Sequence, residues 1–180
     1  IRDGGKLGIV VVDDGCGMTA DDLLLAVDRH ATSKLAPASD GDYDLMNIAT
    51  MGFRGEALPS IGAVARLDLT SRPVDGPAAK LSVHGGMRDG PSPAAMGGTG
   101  TRIEVRDLFY ATPARLKFLK SERAETAAVA DAVRRLAMAF PAIGFSLTSN
   151  GKRLFRFRPE ADDDAVRLKR LGAVMWRDFE

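Results

Sequence analysis

Apolar residues recur along this chain in two rhythms, and the switches between them mark its elements. Leu7 to Val12 is a continuous apolar, β-branched run, too short for a free-standing helix and suited to a buried strand. Thr19 reads as a helix N-cap, with Asp21 and Asp22 in the first turn where acids suit the helix dipole, and Leu23, Leu24, Leu25 and Val27 carry the helix to about Arg29. A second helix starts directly after Gly55-Glu56. Ala65 to Ser71 then alternates, Leu67 and Leu69 on one face and Arg66, Asp68 and Thr70 on the other, the pattern of a half-buried strand. Lys80 to His84 is a second such strand and Thr101 to Asp107 a third, with Ile103 and Val105 inward. Glu122 to Phe140 is a long helix whose buried stripe is Val129, Val133, Leu136 and Phe140, ended by Pro141. Two short strands around Asn150-Gly151, a type I′ turn signal, form a hairpin, and Asp162 to Leu171 is the last helix.

Between these elements lie two stretches without rhythm. His30 to Met51 reads as a surface segment, placed as a natural lid between two glycine motifs. Gly85 to Gly100, rich in Gly, Pro and Ala, reads as irregular. So many short, adjacent strands argue against a doubly wound parallel sheet. The expected fold is an α/β two-layer sandwich, with helices on one face of a mixed, mostly antiparallel sheet.

Composition narrows the picture. With 45% hydrophobic and 27% charged residues over 180 positions, the chain can bury an ordinary core, and its net charge of +1 argues for neither a strongly basic nucleic-acid binder nor an acidic tail. The one cysteine, Cys16, excludes an intrachain disulfide and fits a reducing, cytoplasmic setting. His30 and His84, far apart in sequence, make no zinc-type cluster with it. No apolar run is long enough to span a membrane.

The candidate chemistry sits in two glycine motifs. Asp13-Asp14-Gly15-Cys16-Gly17-Met18 places a carboxylate at a strand end, able to accept a hydrogen bond from an exocyclic amine, beside glycines that let a flat ring approach the backbone. A turn with Asp as hydrogen-bonding filler accounts for the same residues. Met51-Gly52-Phe53-Arg54-Gly55-Glu56-Ala57-Leu58 leads backbone amides into a helix start, a combination suited to a phosphate; a glycine-rich turn before an ordinary core helix is the plainer alternative. Lys34 can reach a phosphate as a point charge, or be a solvated lysine. Gly97-Gly98-Thr99-Gly100 is not followed by Gly-Lys-Ser/Thr, so the P-loop reading fails.

Four segments together carry a resemblance: Asp13 to Met18, Arg29-His30-Ala31-Thr32-Ser33-Lys34, Gly52 to Leu58, and Gly100 to Val105 with Asp107 to Arg115. They resemble the N-terminal ATPase region of MutL-type DNA mismatch repair proteins, within the gyrase, heat-shock chaperone, histidine kinase and MutL (GHKL) superfamily. The resemblance implies ATP bound with Mg2+. It implies that Asp13 takes the adenine amino group with Gly17 and Met18 beside the base. Thr32 lines the base side, Thr101 supports the pocket from a strand, and Gly52, Phe53, Arg54 and Gly55 hold the phosphates, with Lys34 and Leu58 adjoining. Glu56 is read as structural. It further implies a homodimer formed through the N-terminal regions when ATP binds, and DNA, mismatch-recognition and other repair proteins as partners. Arg134, Arg135, Lys152, Arg153, Arg156 and Arg158 could offer DNA a basic surface, or simply face water.

The family's first motif, a helix bearing a water-activating Glu and a magnesium-binding Asn, is not found in the twelve residues before Asp13. Both are therefore expected upstream of Ile1, with no catalytic or metal-binding residue in this chain. Residues 1–158 are expected to be the ATPase domain without that helix, and 159–180 a connection toward a following domain. The parent is expected to hydrolyse ATP and the isolated chain to be inactive. A chaperone or sensor-kinase ATPase of the superfamily, or a non-enzymatic module that kept the fold, are the rival readings.

Overall fold

The computed structural model describes residues 1–32, 54–161 and 163–175. It divides into two compact units, one spanning Ile9–Leu116 and the other combining Ile1–Gly8 with Lys117–Glu180.

The first unit is built on a five-stranded sheet. Its strands are β1 (Gly8–Asp13), β2 (Arg66–Arg72), β3 (Ala79–His84), β4 (Met87–Pro93) and β5 (Gly100–Arg106), in the spatial order β1-β5-β2-β3-β4. The pairs β2–β5, β2–β3 and β3–β4 are antiparallel. Helices α1 (Ala20–Ala26) and α2 (Ala57–Val64) pack on this sheet. Register explains the core. Leu67 lies opposite Val83 and Val105, and Leu69 opposite Leu81 and Ile103, so one face is an apolar ladder to which Leu23 and Val27 of the α1 segment add their side chains. The expected mixed, mostly antiparallel α/β sheet with helices on one face is what forms.

In the sheet, three expectations need correcting. The Gly- and Pro-rich stretch after Gly85 contains β4, which pairs with β3. As the edge strand of the order it can carry Pro91 and Pro93, because one side of its backbone has no strand to bond. The valines of β1 are not buried: Val10, Val11 and Val12 are 39%, 52% and 62% exposed, since β1 is the other edge of the described sheet. Asp68, read as a solvent-facing position, is 7% exposed, because β2 is the central strand and its outer face is covered by long side chains of β3 and β5.

Helix α1 begins as its sequence predicts. The Thr19 hydroxyl accepts the Asp22 amide at 3.1 Å while the Asp22 carboxylate accepts the Thr19 amide at 3.0 Å, a reciprocal capping box; the Thr19 hydroxyl, donating to the carboxylate at 2.7 Å, and then the Thr19 amide hold the Asp22 carboxyl below its usual range. The helix stops at Ala26, one turn before the expected Arg29.

In the second unit, α3 (Glu122–Ala139) is capped by the Ser121 hydroxyl. Its stripe is rotated from the expected one: Ala130 and Ala137 are the buried positions, Val129, Val133 and Leu136 flank them half-buried, and Phe140 is 36% exposed at the C-cap. Small residues seven apart let the helix sit close to its neighbours, so the large side chains spread to either side. Strands β6 (Phe145–Ser149) and β7 (Lys152–Phe157) make the expected hairpin, with Asn150 and Gly151 at φ of 48° and 79°. The last helix, α4 (Asp164–Met175), is anchored by Arg170, only 2% exposed, whose guanidinium donates to the Pro141 and Arg158 carbonyls and lies over the Phe157 ring.

Candidate nucleotide site

The inner row of β2 reads Leu67, Leu69, Ser71, so the apolar ladder ends in a hydroxyl. Ser71 is fully buried. Its Oγ accepts the Met18 amide at 2.8 Å, donates to the Gly100 carbonyl at 3.0 Å and lies 2.9 Å from Thr101 Oγ1. Thr101, across from Ser71 on β5, sends its amide 3.2 Å to Asp13 Oδ1, which also accepts the Gly15 amide at 3.0 Å. Asp13, Met18 and Thr101 are thus brought together at one end of the sheet, tied by a residue that the sequence reading left out. The signal for Ser71 was present: a hydroxyl where alternation calls for a third apolar side chain.

Asp13 is exposed, and its geometry is specific. Two backbone amides saturate Oδ1, fixing the carboxylate plane, while Oδ2 has no hydrogen-bond partner among the described residues. Such an oxygen suits an exocyclic amine and disfavours a carbonyl. Gly17, at φ 70°, must be glycine for the protein's own sake: a Cβ there would stand 2.0 Å from the Arg72 carbonyl oxygen.

Gly55 and Glu56 of the second glycine motif meet His30 and Ala31. The His30 amide donates to the Gly55 carbonyl at 3.2 Å, and His30 Nδ1 lies 3.3 Å from Glu56 Oε1. A Cβ on Gly55, at φ 60°, would fall 2.3 Å from the Ala31 carbonyl oxygen. Arg54 and Gly55 run into α2, whose N-cap Glu56 makes no side-chain capping bond among the described residues, and a helix start of this kind suits an anion. Leu58 packs on the core, and Thr32 is half-buried at the end of the described stretch. Lys34, Gly52 and Phe53 lie outside the described residues.

The outer face of β2 is of another kind. Asp68 accepts from the Ser82 hydroxyl and Arg106, both at 2.5 Å, and from Lys80 at 3.1 Å, with His84 Nε2 at 3.7 Å. Burial pushes the Asp68 carboxyl up, but these donors outweigh it and bring it down to about 2. Of the basic residues in the second unit, Arg134 lies over the Phe155 ring and Arg135 pairs with Asp131 at 2.8 Å, whereas Lys152, Arg153, Arg156 and Arg158 are exposed.

No family model matches the chain. It is 55% identical to the DNA mismatch repair protein MutL of Phenylobacterium zucineum over 182 residues, covering 98% of this chain and 29% of that protein. It is 53% identical to MutL of Paramagnetospirillum magneticum over 182 residues, again 29% of the relative's length. Among solved structures, an Aquifex aeolicus MutL ATPase domain complexed with ADP matches with a TM-score of 0.74 and 26% identity, over 98% of this chain and 59% of that one. The chain therefore spans less than a third of the curated relatives it matches. Its sheet, its two glycine motifs and this near end-to-end similarity make it a member of the MutL family, in the part of such proteins that has the GHKL ATPase fold.

Proposed function

We propose that this chain binds the nucleotide in an ATP-driven conformational switch of a DNA mismatch repair protein. The observation that carries the proposal is the Asp13 carboxylate, one oxygen saturated by the Gly15 and Thr101 amides and the other without a partner among the described residues. On this reading Asp13 Oδ2 takes the adenine amine, with Gly17 and Met18 beside the base and Thr32 and Thr101 supporting it. Arg54 and Gly55 meet the phosphates at the start of α2, with Leu58 behind them and Gly52, Phe53 and Lys34 completing the grip. Similarity to a MutL ATPase domain complexed with ADP supports a nucleotide as the ligand.

The described residues hold no cluster of three or more His, Cys, Asp or Glu side chains suited to a metal. On this reading magnesium enters with the triphosphate, and its protein ligand and the water-activating Glu are assigned to residues upstream of Ile1. On the same reading, the isolated chain binds nucleotide weakly and does not turn it over. The full-length protein pairs its N-terminal regions on ATP binding and works with DNA and other repair proteins in the cytoplasm.

Calorimetry on the full-length protein tests this reading. Asp13→Asn turns a pure acceptor into an amide, and losing a hydrogen bond of this kind costs about 1.5–3 kcal/mol, a roughly ten- to hundredfold weaker Kd for ATP. Unchanged affinity removes Asp13 from the site.

A further inference from the structure

We propose that Ser71 is a positioning residue that sets nucleobase selectivity, by consuming the Thr101 hydroxyl proton so that Asp13 and Thr101 present only hydrogen-bond acceptors to the base. The inference rests on the reading that Asp13 meets an exocyclic amine.

The argument is a count of protons. A serine hydroxyl has one proton to give and two lone pairs to fill. The Gly100 carbonyl, 3.0 Å from Ser71 Oγ, can only accept, so the Ser71 proton goes there. The Met18 amide, 2.8 Å away, can only donate and fills one lone pair. Thr101 Oγ1, at 2.9 Å, is left one role, which is to donate into the second. The Thr101 amide is spent as well, on Asp13 Oδ1. Every proton of Thr101 is therefore directed into the protein, and its hydroxyl oxygen keeps lone pairs only. Asp13 Oδ2 is likewise an acceptor. An acceptor-only edge accommodates the amine of adenine and repels the carbonyl that guanine carries at the same ring position.

Ser71 reaches this role without touching the base, because it is fully buried at the end of the Leu67–Leu69 row. Removing its hydroxyl releases the Thr101 proton, which can then turn outward and donate to a guanine carbonyl. A donor has been added where none existed, and buried polar groups that match or fail to match a ligand group are what separate close analogues.

The test compares ATP and GTP binding to the full-length protein by calorimetry. Ser71→Ala should lower the GTP-to-ATP ratio of Kd values by about tenfold or more, the size of one hydrogen bond gained or lost. The same substitution in a Thr101→Val background, where there is no hydroxyl proton to release, should move the ratio by less than about twofold. A ratio unmoved by Ser71→Ala overturns the proposal. So does an equal fall in the Thr101→Val background, which would place the effect in packing or in the Met18 amide that Ser71→Ala also strips of its acceptor. If Ser71→Ala does not fold, Ser71→Cys keeps the shape with a weak hydrogen-bonding group and should move the ratio in the same direction; an unmoved ratio there overturns the proposal equally. Asp13→Asn run in parallel separates the failures. If it leaves ATP affinity intact, the site reading falls and this inference with it; if it weakens ATP while Ser71→Ala leaves the ratio alone, only this inference falls.

Discussion

The two faces of strand β2 are made of neighbouring residues and do opposite things. Inward, Leu67 and Leu69 build the core and Ser71 closes the row by wiring Met18, Gly100 and Thr101 together. Outward, Arg66, Asp68 and Thr70 lie across the strands from His84, Lys80, Arg102, Glu104 and Arg106, and Asp68 gathers Lys80 and Arg106 onto one carboxylate. Both faces bury polar atoms, and the inner network ends, among the described residues, in a carboxylate oxygen of Asp13 that has no protein partner. The outer network spends its acceptor on the protein's own cations, whereas the inner one leaves an exposed acceptor that a ligand's donor can meet.

That contrast can be broken from either side. The largest effect is expected from Leu69→Ala, which deletes a fully buried side chain and should cost about 2–5 kcal/mol in urea unfolding, with nucleotide binding weakened only as far as folding is. Asp68→Ala should cost less, about 1–3 kcal/mol, by stripping Ser82, Lys80 and Arg106 of their shared acceptor, and should leave the GTP-to-ATP ratio untouched. If Asp68→Ala shifts nucleotide selectivity, the two faces are coupled and the comparison fails. Acid sharpens it further. The Asp68 carboxyl is depressed when folded, to about 2 from 3.8, so its contribution is fully present above about pH 4 and is lost as pH falls toward 2. Stability measured across that window should drop more steeply in the parent than in Asp68→Ala. The smallest effect belongs to Thr19→Ala, which removes the α1 capping box and should cost about 1 kcal/mol without touching either face.

How much of this was legible beforehand depends on what each residue's neighbours are. The alternation of Leu67, Leu69, Ile103 and Val105, the Thr19 cap and the Asn150-Gly151 turn are local signals, and the structure forms all of them where they stand. Strand β4 was hidden because its Gly90, Pro91 and Pro93 discourage pairing everywhere except at an edge, and edge position is a property of topology. The β1 valines advertised burial that the described sheet does not give them, for the same reason in reverse. Asp68 looked like a solvent position because nothing in sequence reveals that Lys80 and Arg106 converge on it from two other strands. In the site, Asp13 and Gly55 stand out through their motifs, while Ser71 is recognisable only once Thr101 is set opposite it in register.

The pinning of Ala31 against Gly55 has a consequence for how such proteins can vary. The chain departs after Thr32 and returns at Arg54 beside a contact that tolerates no side chain at 55 and is reinforced by His30 and Glu56. Position 55 therefore cannot accept even one methyl group without parting the Ala31 and Gly55 backbones, however the rest of the sequence drifts.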